Sequence, residues 1–258
     1  MVKKISIIVP AHNEEKRIGN MLDLYLNFFK KLKTVDFEII VVLNACKDKT
    51  KQEVMKRKTK ELRVLDFEKG GKGFAVVQGF KDALLRDSDV MGFVDADAST
   101  KPEEFYKLVK NMKDNDGAIA SRYIPGAKMD PAPTLQRMIV SRIYNLVIRA
   151  LFIMPYRDTQ CGAKVFKRKL VSEIVNQIGM TKWAFDVEIL FKSRKAGFIV
   201  IEVPTFWSDK DYSKINALTA GPMMVLGIVR LRILSSPLKM FIRVYDFFAE
   251  SVRKWMKK

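Results

Sequence analysis

Over the first hundred residues, short β-branched runs alternate with segments whose apolar positions recur every three or four residues. Ile5-Ser6-Ile7-Ile8-Val9, Glu38-Ile39-Ile40-Val41-Val42-Leu43, Leu62 to Asp66 and Val90-Met91-Gly92-Phe93-Val94 read as strands. Between them the spacing predicts helices from roughly Glu14 to Lys33, from about Lys49 to Lys60 and from near Gly73. This alternation implies right-handed βαβ units and an α/β fold, with a mainly parallel sheet flanked by helices and buried on both faces. From about Gly117 the pattern changes to loops rich in Pro and Gly, then to long apolar helices, with one more strand at Phe198 to Val203. No stretch of about eighteen uninterrupted apolar residues occurs, so no segment reads as a transmembrane helix. Ile5 to Val9 is too short for a signal-peptide core and is expected to be a strand, not an address.

Composition narrows this picture only in part. With 258 residues, 48% of them apolar, the chain is expected to form one domain with surface appendages. An α/β unit is expected over residues 1–215, including an amphipathic helix near 135–154, and a helical, basic, amphipathic extension over 216–258. The formal charge of +18 would draw the protein to a polyanion, be it nucleic acid, an anionic membrane or a phosphorylated substrate, unless it is only a solvated surface. Cys46 and Cys161 stand in no metal-ligand spacing, and the single His12 cannot build a histidine-based zinc site. A reduced, cytoplasmic setting follows as the expectation.

In open α/β sheets ligands sit beyond the carboxyl ends of the strands, so the residues there carry the candidate chemistry. After the first strand comes Pro10-Ala11-His12-Asn13-Glu14-Glu15: Pro10 is expected to end the strand, the acidic pair to open a helix, and His12 and Asn13 to offer hydrogen bonds. Gly70-Gly71-Lys72-Gly73 leads into an apolar helix, where glycines permit close backbone approach, the helix N-terminus suits a phosphate and Lys72 adds a charge. The spacing matches neither a Walker loop nor a dinucleotide fingerprint. The fourth strand runs into Asp95-Ala96-Asp97, two carboxylates separated by one small residue, which suits a hard divalent cation that also holds a diphosphate.

Together, Ile8-Val9-Pro10-Ala11-His12-Asn13-Glu14, Gly71-Lys72-Gly73 and Asp95-Ala96-Asp97 resemble the large inverting glycosyltransferase family 2 with the GT-A fold. The resemblance implies a nucleotide-sugar donor held by Pro10, Asn13, Glu14, Asn44, Lys72 and Asp95, with Mg or Mn on Asp95 and Asp97. The second strand of that family commonly ends in an Asp-Asp-Gly-Ser type turn, whereas Leu43-Asn44-Ala45-Cys46-Lys47-Asp48 stands here, which leaves the choice of UDP or GDP open. Ser121-Arg122-Tyr123, Arg137 and Ser141 are similar to segments of polyprenyl-phosphate glycosyltransferases, where the matching Arg and Ser contact the acceptor phosphate. Asp158-Thr159-Gln160-Cys161-Gly162, Trp183-Ala184-Phe185-Asp186-Val187-Glu188 and Val203-Pro204-Thr205-Phe206-Trp207 look closer to dolichyl-phosphate β-glucosyltransferases than to mannose synthases. Lys210 and Lys214 join Arg122, Arg137 and Ser141 as acceptor-side candidates, and Tyr212 stands where that group commonly has Gly.

The resemblance covers roughly residues 3 to 235 and implies metal-dependent transfer of a hexose, from UDP-glucose or a related UDP-sugar, to dolichyl or polyprenyl phosphate. GDP-mannose is the alternative donor. Asp97, Asp158 and Asp186 are the acidic catalytic candidates; the last two would orient a sugar hydroxyl or stabilise charge at the anomeric carbon, or else serve as structural caps. From another class, a basic nucleic-acid-binding protein would share the charge, but no zinc-finger, homeodomain or ribonucleoprotein pattern is present and no nucleic-acid partner is expected. An inactive homologue serving as a binding subunit would be expected to lack the Asp95 and Asp97 pair. In Leu135 to Met154, Arg137, Ser141, Asn145 and Arg149 recur on one face and Ile139, Ile143, Leu146, Ala150 and Ile153 on another. After Ser236 and Pro237, Leu238, Phe241, Tyr245, Phe248, Val252 and Trp255 share a face. Both helices are expected to lie in the interface of a membrane, on its cytoplasmic side, unless those faces pack on the sheet or on a second subunit.

Overall fold

The computed structural model describes residues 2–179, 184–208 and 217–255. Four strands form on the four N-terminal apolar runs: β1 (Lys4–Ala11), β2 (Asp36–Asn44), β3 (Leu62–Phe67) and β4 (Val90–Val94). Helices α1 (Ile18–Lys31), α2 (Thr50–Met55) and α3 (Lys72–Leu84) connect them. Then follow α4 (Pro102–Met112), β5 (Gly117–Ser121), β6 (Lys128–Met129), α5 (Leu135–Phe152), β7 (Ala163–Lys167), α6 (Arg168–Ile174) and α7 (Phe185–Lys195). The chain continues through β8 (Val200–Pro204), β9 (Phe206–Trp207), α8 (Ala217–Leu234), a 3-10 turn at Pro237–Phe241 and α9 (Ile242–Trp255).

Seven strands form one sheet in the order β3-β2-β1-β4-β7-β5-β8, and β6 pairs with β9 in a separate two-stranded ribbon. Within the large sheet only β7 runs against its neighbours, pairing antiparallel with β4 on one side and β5 on the other. Successive residues of β1 and β2 enter opposite cores: Ile8, Ile40 and Val42 pack in one, while Ile7, Val9, Ile39 and Val41 pack in the other. Burial on both faces explains why Ile7–Val9 and Ile39–Leu43 are continuously apolar instead of alternating.

The structure corrects several boundaries. β1 continues through Pro10 to Ala11, because its pairing with β4 ends at Ile8 and the remaining residues have only β2 beside them, an edge setting that proline tolerates. Helix α1 begins at Ile18, not near Glu14, and its first turn holds no acidic residue. The backbone amides of Glu14 and Glu15 instead donate to Thr50 Oγ1 and Asp48 Oδ2, which ties the β1 loop to the start of α2. Helix α2 ends at Met55, and Arg57 beyond it pairs with Asp23 on α1 at 2.8 Å.

From Gly117 on, the chain adds β5 and β7 to the large sheet where loops and helices are expected, besides the short β6 and β9 and the expected strand, which runs as β8. β5 reads Gly-Ala-Ile-Ala-Ser, of low β propensity apart from Ile119, and β7 carries a lysine at its second position. Tertiary packing overrides both weak signals. A Cβ on Gly92 would lie 2.6 Å from Lys164 O, so β4 admits β7 at this distance only because that position is bare.

Candidate active site

The carboxyl ends of β1, β2 and β4 and the start of α3 meet in one cleft. Asn44, at the end of β2, is nearly inaccessible: its Nδ2 donates to Ala11 O at 2.8 Å and its Oδ1 accepts from Gly71 N at 3.0 Å. The amide therefore staples the β1 loop to the glycine loop. His12 Nδ1 lies 2.7 Å from Asn44 O, and Asn13, in the left-handed region at φ 56°, accepts from Lys47 N through Oδ1. The Glu14 carboxylate forms a two-bond pair with Arg17, both contacts at 2.7 Å.

Lys72 opens α3 and reaches across to the end of β4. Its Nζ stands 2.9 Å from Asp95 Oδ1 and 3.4 Å from Asp186 Oδ2, so one ammonium links two carboxylates. Burial disfavours the Lys72 cation, but these two neighbours outweigh it and raise its pKa. Burial pushes the Asp95 carboxyl above its ordinary value; Lys72 opposes that shift and Asp97 reinforces it. Asp97 Oδ1 accepts from Ser99 N at 2.9 Å, closing a tight turn in which Ala98 has φ 61°. Gly162 lies directly under Asp95, and a Cβ there would fall 1.8 Å from Oδ2.

Two half-buried carboxylates with a bare backbone beneath one of them fit a hard divalent cation. Among the described residues no group of three or more His, Cys, Asp or Glu side chains forms a cage. Such a pair suits a cation that completes its shell with substrate phosphate and water, as Mg commonly does.

On the far side of the cleft, Arg122 follows β5 and is clamped by Asp158. Nε donates to Oδ2 at 2.8 Å, NH2 donates to Oδ1 at 3.0 Å, and the backbone amide of Arg122 also donates to Oδ2. Asp158 is fully buried, and both of its oxygens serve Arg122. Burial raises its pKa, but the guanidinium prevails and holds the carboxyl below the ordinary range. Trp207 on β9 carries two guanidiniums against its ring, Arg122 at 5.3 Å and Arg137 at 5.7 Å from the centroid. Ser141 pairs with Tyr123 at 2.8 Å, and Arg142 lies 5.1 Å from the ring of that tyrosine.

The two sides are joined by backbone. Thr100 bridges to Trp207 and Ser208 N donates to Ser99 O, so the turn that carries Asp97 abuts the strand that carries the arginine platform. The segment from Asp158 to Lys164 touches both sides: Asp158 clamps Arg122, Gly162 lies beneath Asp95, and Lys164 Nζ donates to Asp186 Oδ1 at 2.6 Å.

A family model for glycosyl transferase family 2 matches residues 6–175, from β1 to the end of α6, a range that holds Asn44, Lys72, Asp95, Asp97, Arg122 and Asp158. The chain belongs to glycosyl transferase family 2. It is 29% identical over 243 residues to a dolichyl-phosphate β-glucosyltransferase of Dictyostelium discoideum, covering 88% of this chain and 73% of that protein. The Homo sapiens protein of the same description is 31% identical over 255 residues, covering 90% and 76%. Among solved structures, glucosyl-3-phosphoglycerate synthase from Mycobacterium tuberculosis, in complex with Mn2+, UDP and glucosyl-3-phosphoglycerate, superposes with a TM-score of 0.66 at 15% identity. That match covers 90% of this chain and 79% of the other, and it places the sheet in the GT-A class. The protein is thus a glycosyltransferase with a GT-A fold.

Within this family frame, Asn13, Asn44, Lys72, Asp95, Asp97 and Asp186 line or support one side of the cleft, and Arg122, Arg137 and Ser141 stand on the other. Pro10 lies in β1 beside Val42, and Glu14 points into its pair with Arg17. Lys210 and Lys214, with Trp183, Tyr212 and the Lys-bearing segment around them, lie outside the described residues. Sequence reasoning missed roles for Trp207, Gly162, Lys164 and Asn145, whose Oδ1 accepts from both Thr159 N and Thr159 Oγ1. A usable signal existed for Lys164, a lone lysine between Ala163 and Val165 in a short apolar stretch.

Proposed function

We propose that this glycosyltransferase moves glucose from UDP-glucose to dolichyl or polyprenyl phosphate, with Mg or Mn bound to Asp95 and Asp97. The observation that carries the reading is the pairing, across one cleft, of a carboxylate and lysine cluster suited to a metal diphosphate with two arginines stacked on Trp207 and suited to a phosphate. The named dolichyl-phosphate β-glucosyltransferases supply the substrate class, and the family model covers the Asp95, Asp97 and Arg122 segments of the cleft.

A bound divalent cation would stabilise the leaving diphosphate. Lys72 adds a second positive charge on the donor side, and Asn44 contributes by fixing the loops around the nucleotide. A phosphate monoester has a second pKa near ~6, so the acceptor arrives mainly as a dianion and needs no strong base. The harder task is to hold two anions together, and Arg122 and Arg137 do this on the acceptor side, with Ser141 beside them. Asp158 acts through Arg122, since neither of its oxygens is left for substrate. Asp186 faces Lys72 and orients it.

The lipid acceptor also requires a route from the bilayer. Along α5 Asn145 is buried and Arg137 and Ser141 are half-buried, while Arg149 of the same row and Ile139, Ile143, Leu146 and Ile153 are exposed. In α9 and the turn before it, Leu238, Met240, Phe241, Val244, Phe247 and Phe248 are exposed too. Among the described residues no helix is long and apolar enough to cross a membrane. These faces suit peripheral binding at the cytoplasmic surface, with residues 216–258 as the interfacial extension and α5 delivering the acceptor to its own inner face.

Steady-state kinetics of Arg137→Ala tests the split between donor and acceptor sides. The KM for polyprenyl phosphate is expected to rise about tenfold with the UDP-glucose KM little changed, the loss of one charge-assisted contact. A change confined to the donor KM would move Arg137 to the nucleotide side and overturn the assignment.

A further inference from the structure

Lys164 is the one side chain of β7 that enters the cleft region and is yet wholly inaccessible. Its ammonium donates to Cys161 O at 2.7 Å and to Asp186 Oδ1 at 2.6 Å, and lies 5.3 Å from the centre of the Phe93 ring. Lys72 approaches the same ring at 5.4 Å. The contacts form a line of alternating charge, Lys164 to Asp186 to Lys72 to Asp95, around one aromatic side chain. A fully buried ammonium is costly unless it is paired and hydrogen-bonded, and here it has one carboxylate and one carbonyl. Its pairing also divides Asp186: one oxygen is bound to Lys164, which leaves the other turned toward Lys72.

We propose that Lys164 is a positioning residue for the donor side, which by anchoring Asp186 sets how Lys72 is shared between Asp186 and Asp95. The proposal rests on the donor-side reading given above. Without Lys164, the Asp186 carboxylate keeps Lys72 as its sole cation. Lys72 is then drawn away from Asp95 and from the diphosphate that this carboxylate's metal would hold, which weakens the donor complex. The acceptor arginines keep their own direct partners, Asp158 and Trp207.

The test uses full-length protein with Lys164→Met, Asp186→Asn and the double variant. Three quantities are read: kcat and KM for each substrate, calorimetric binding of UDP with Mn2+, and thermal unfolding. Lys164→Met is expected to lower kcat/KM for UDP-glucose and the Mn2+-dependent UDP affinity by about tenfold, while the KM for polyprenyl phosphate stays within about twofold. The double variant leaves no unpaired buried charge and no carboxylate to draw Lys72 away, so it is expected to regain thermal stability and to bind UDP as Asp186→Asn does, the Lys164 change adding nothing in that background. It keeps the test readable where Lys164→Met alone fails to fold. Normal UDP affinity in Lys164→Met would overturn the proposal, as would a double variant that binds UDP more weakly than Asp186→Asn by the factor lost in Lys164→Met, since Lys164 would then act by a route other than Asp186. If wild-type protein bound UDP with Mn2+ and transferred no glucose, the substrate reading would fail while the binding data still decided the role of Lys164.

Discussion

Asp97 and Asp158 are both acidic residues of one cleft, but their surroundings give them opposite work. Asp97 closes a surface turn through a single bond to Ser99 N, so its removal costs the fold about 1 kcal/mol. Asp97→Ala is expected to lower metal-dependent transfer by about a hundredfold or more with thermal unfolding nearly unchanged. Transfer close to the wild-type rate would remove Asp97 from the metal site. Asp158, in contrast, is buried under Arg122, and breaking such a pair costs about 3 kcal/mol because a buried cation is left unmatched. Its carboxyl is held below the ordinary value, so its stabilising effect is complete above the ordinary Asp pKa of about 4 and is lost as the pH falls through the depressed folded value. Asp158→Asn is therefore expected to unfold more easily than wild type at neutral pH, with the difference shrinking below about pH 4. Denaturant titrations across that range check this; a constant difference would mean that the ion pair contributes nothing through its charge.

At the level of elements, α5 shows how an amphipathic pattern is read correctly without revealing which face points where. The spacing separates Arg137, Ser141, Asn145 and Arg149 from Ile139, Ile143 and Leu146, but the fold buries Asn145 with Tyr144, Ile148 and Phe152, half-buries Arg137 and Ser141, and leaves Arg149 and the predicted apolar row outside. The reason is the site: Asn145 is needed to hold Thr159, next to Asp158, and Ser141 to meet Tyr123. Helix α8 is tied to α5 by Tyr144 OH donating to Met224 O, and α9 is tied to α8 by Tyr245 OH donating to Leu226 O and by the Arg230 pair with Asp246 at 2.7 Å. Their aromatic and aliphatic side chains nonetheless remain exposed, among them Phe241, Phe247 and Phe248. In flotation with anionic liposomes, the full chain is expected to float at low salt and less at high salt, and a chain ending near Ser235 to float much less. Recovery of the full chain in the soluble fraction at low salt, or equal flotation of the two chains, would contradict an interfacial role for α9.

For the whole molecule, the parallel half of the sheet was legible because both faces of each strand are buried, which writes continuous β-branched runs into Ile5–Val9 and Glu38–Leu43. The other half was not. β5 is built of small residues that let Phe166 and Val165 approach, and β7 hides a lysine whose partner, Asp186, lies far along the chain. The same difference holds for the site. Asp95, Asp97 and Lys72 announce themselves at strand ends, where ligands gather, while Gly162, Lys164 and Trp207 acquire roles only through contacts across the fold. The account's central claim, glucosyl transfer to a lipid phosphate, is tested most directly by incubating the purified full-length protein with dolichyl phosphate and Mg2+ or Mn2+, supplying UDP-glucose, UDP-N-acetylglucosamine or GDP-mannose in parallel, and measuring the lipid-linked sugar formed. The expected result is metal-dependent formation of dolichyl-phosphate glucose from UDP-glucose in clear excess over the other donors; a clear preference for GDP-mannose, or no lipid-linked product from any of the three, would contradict it.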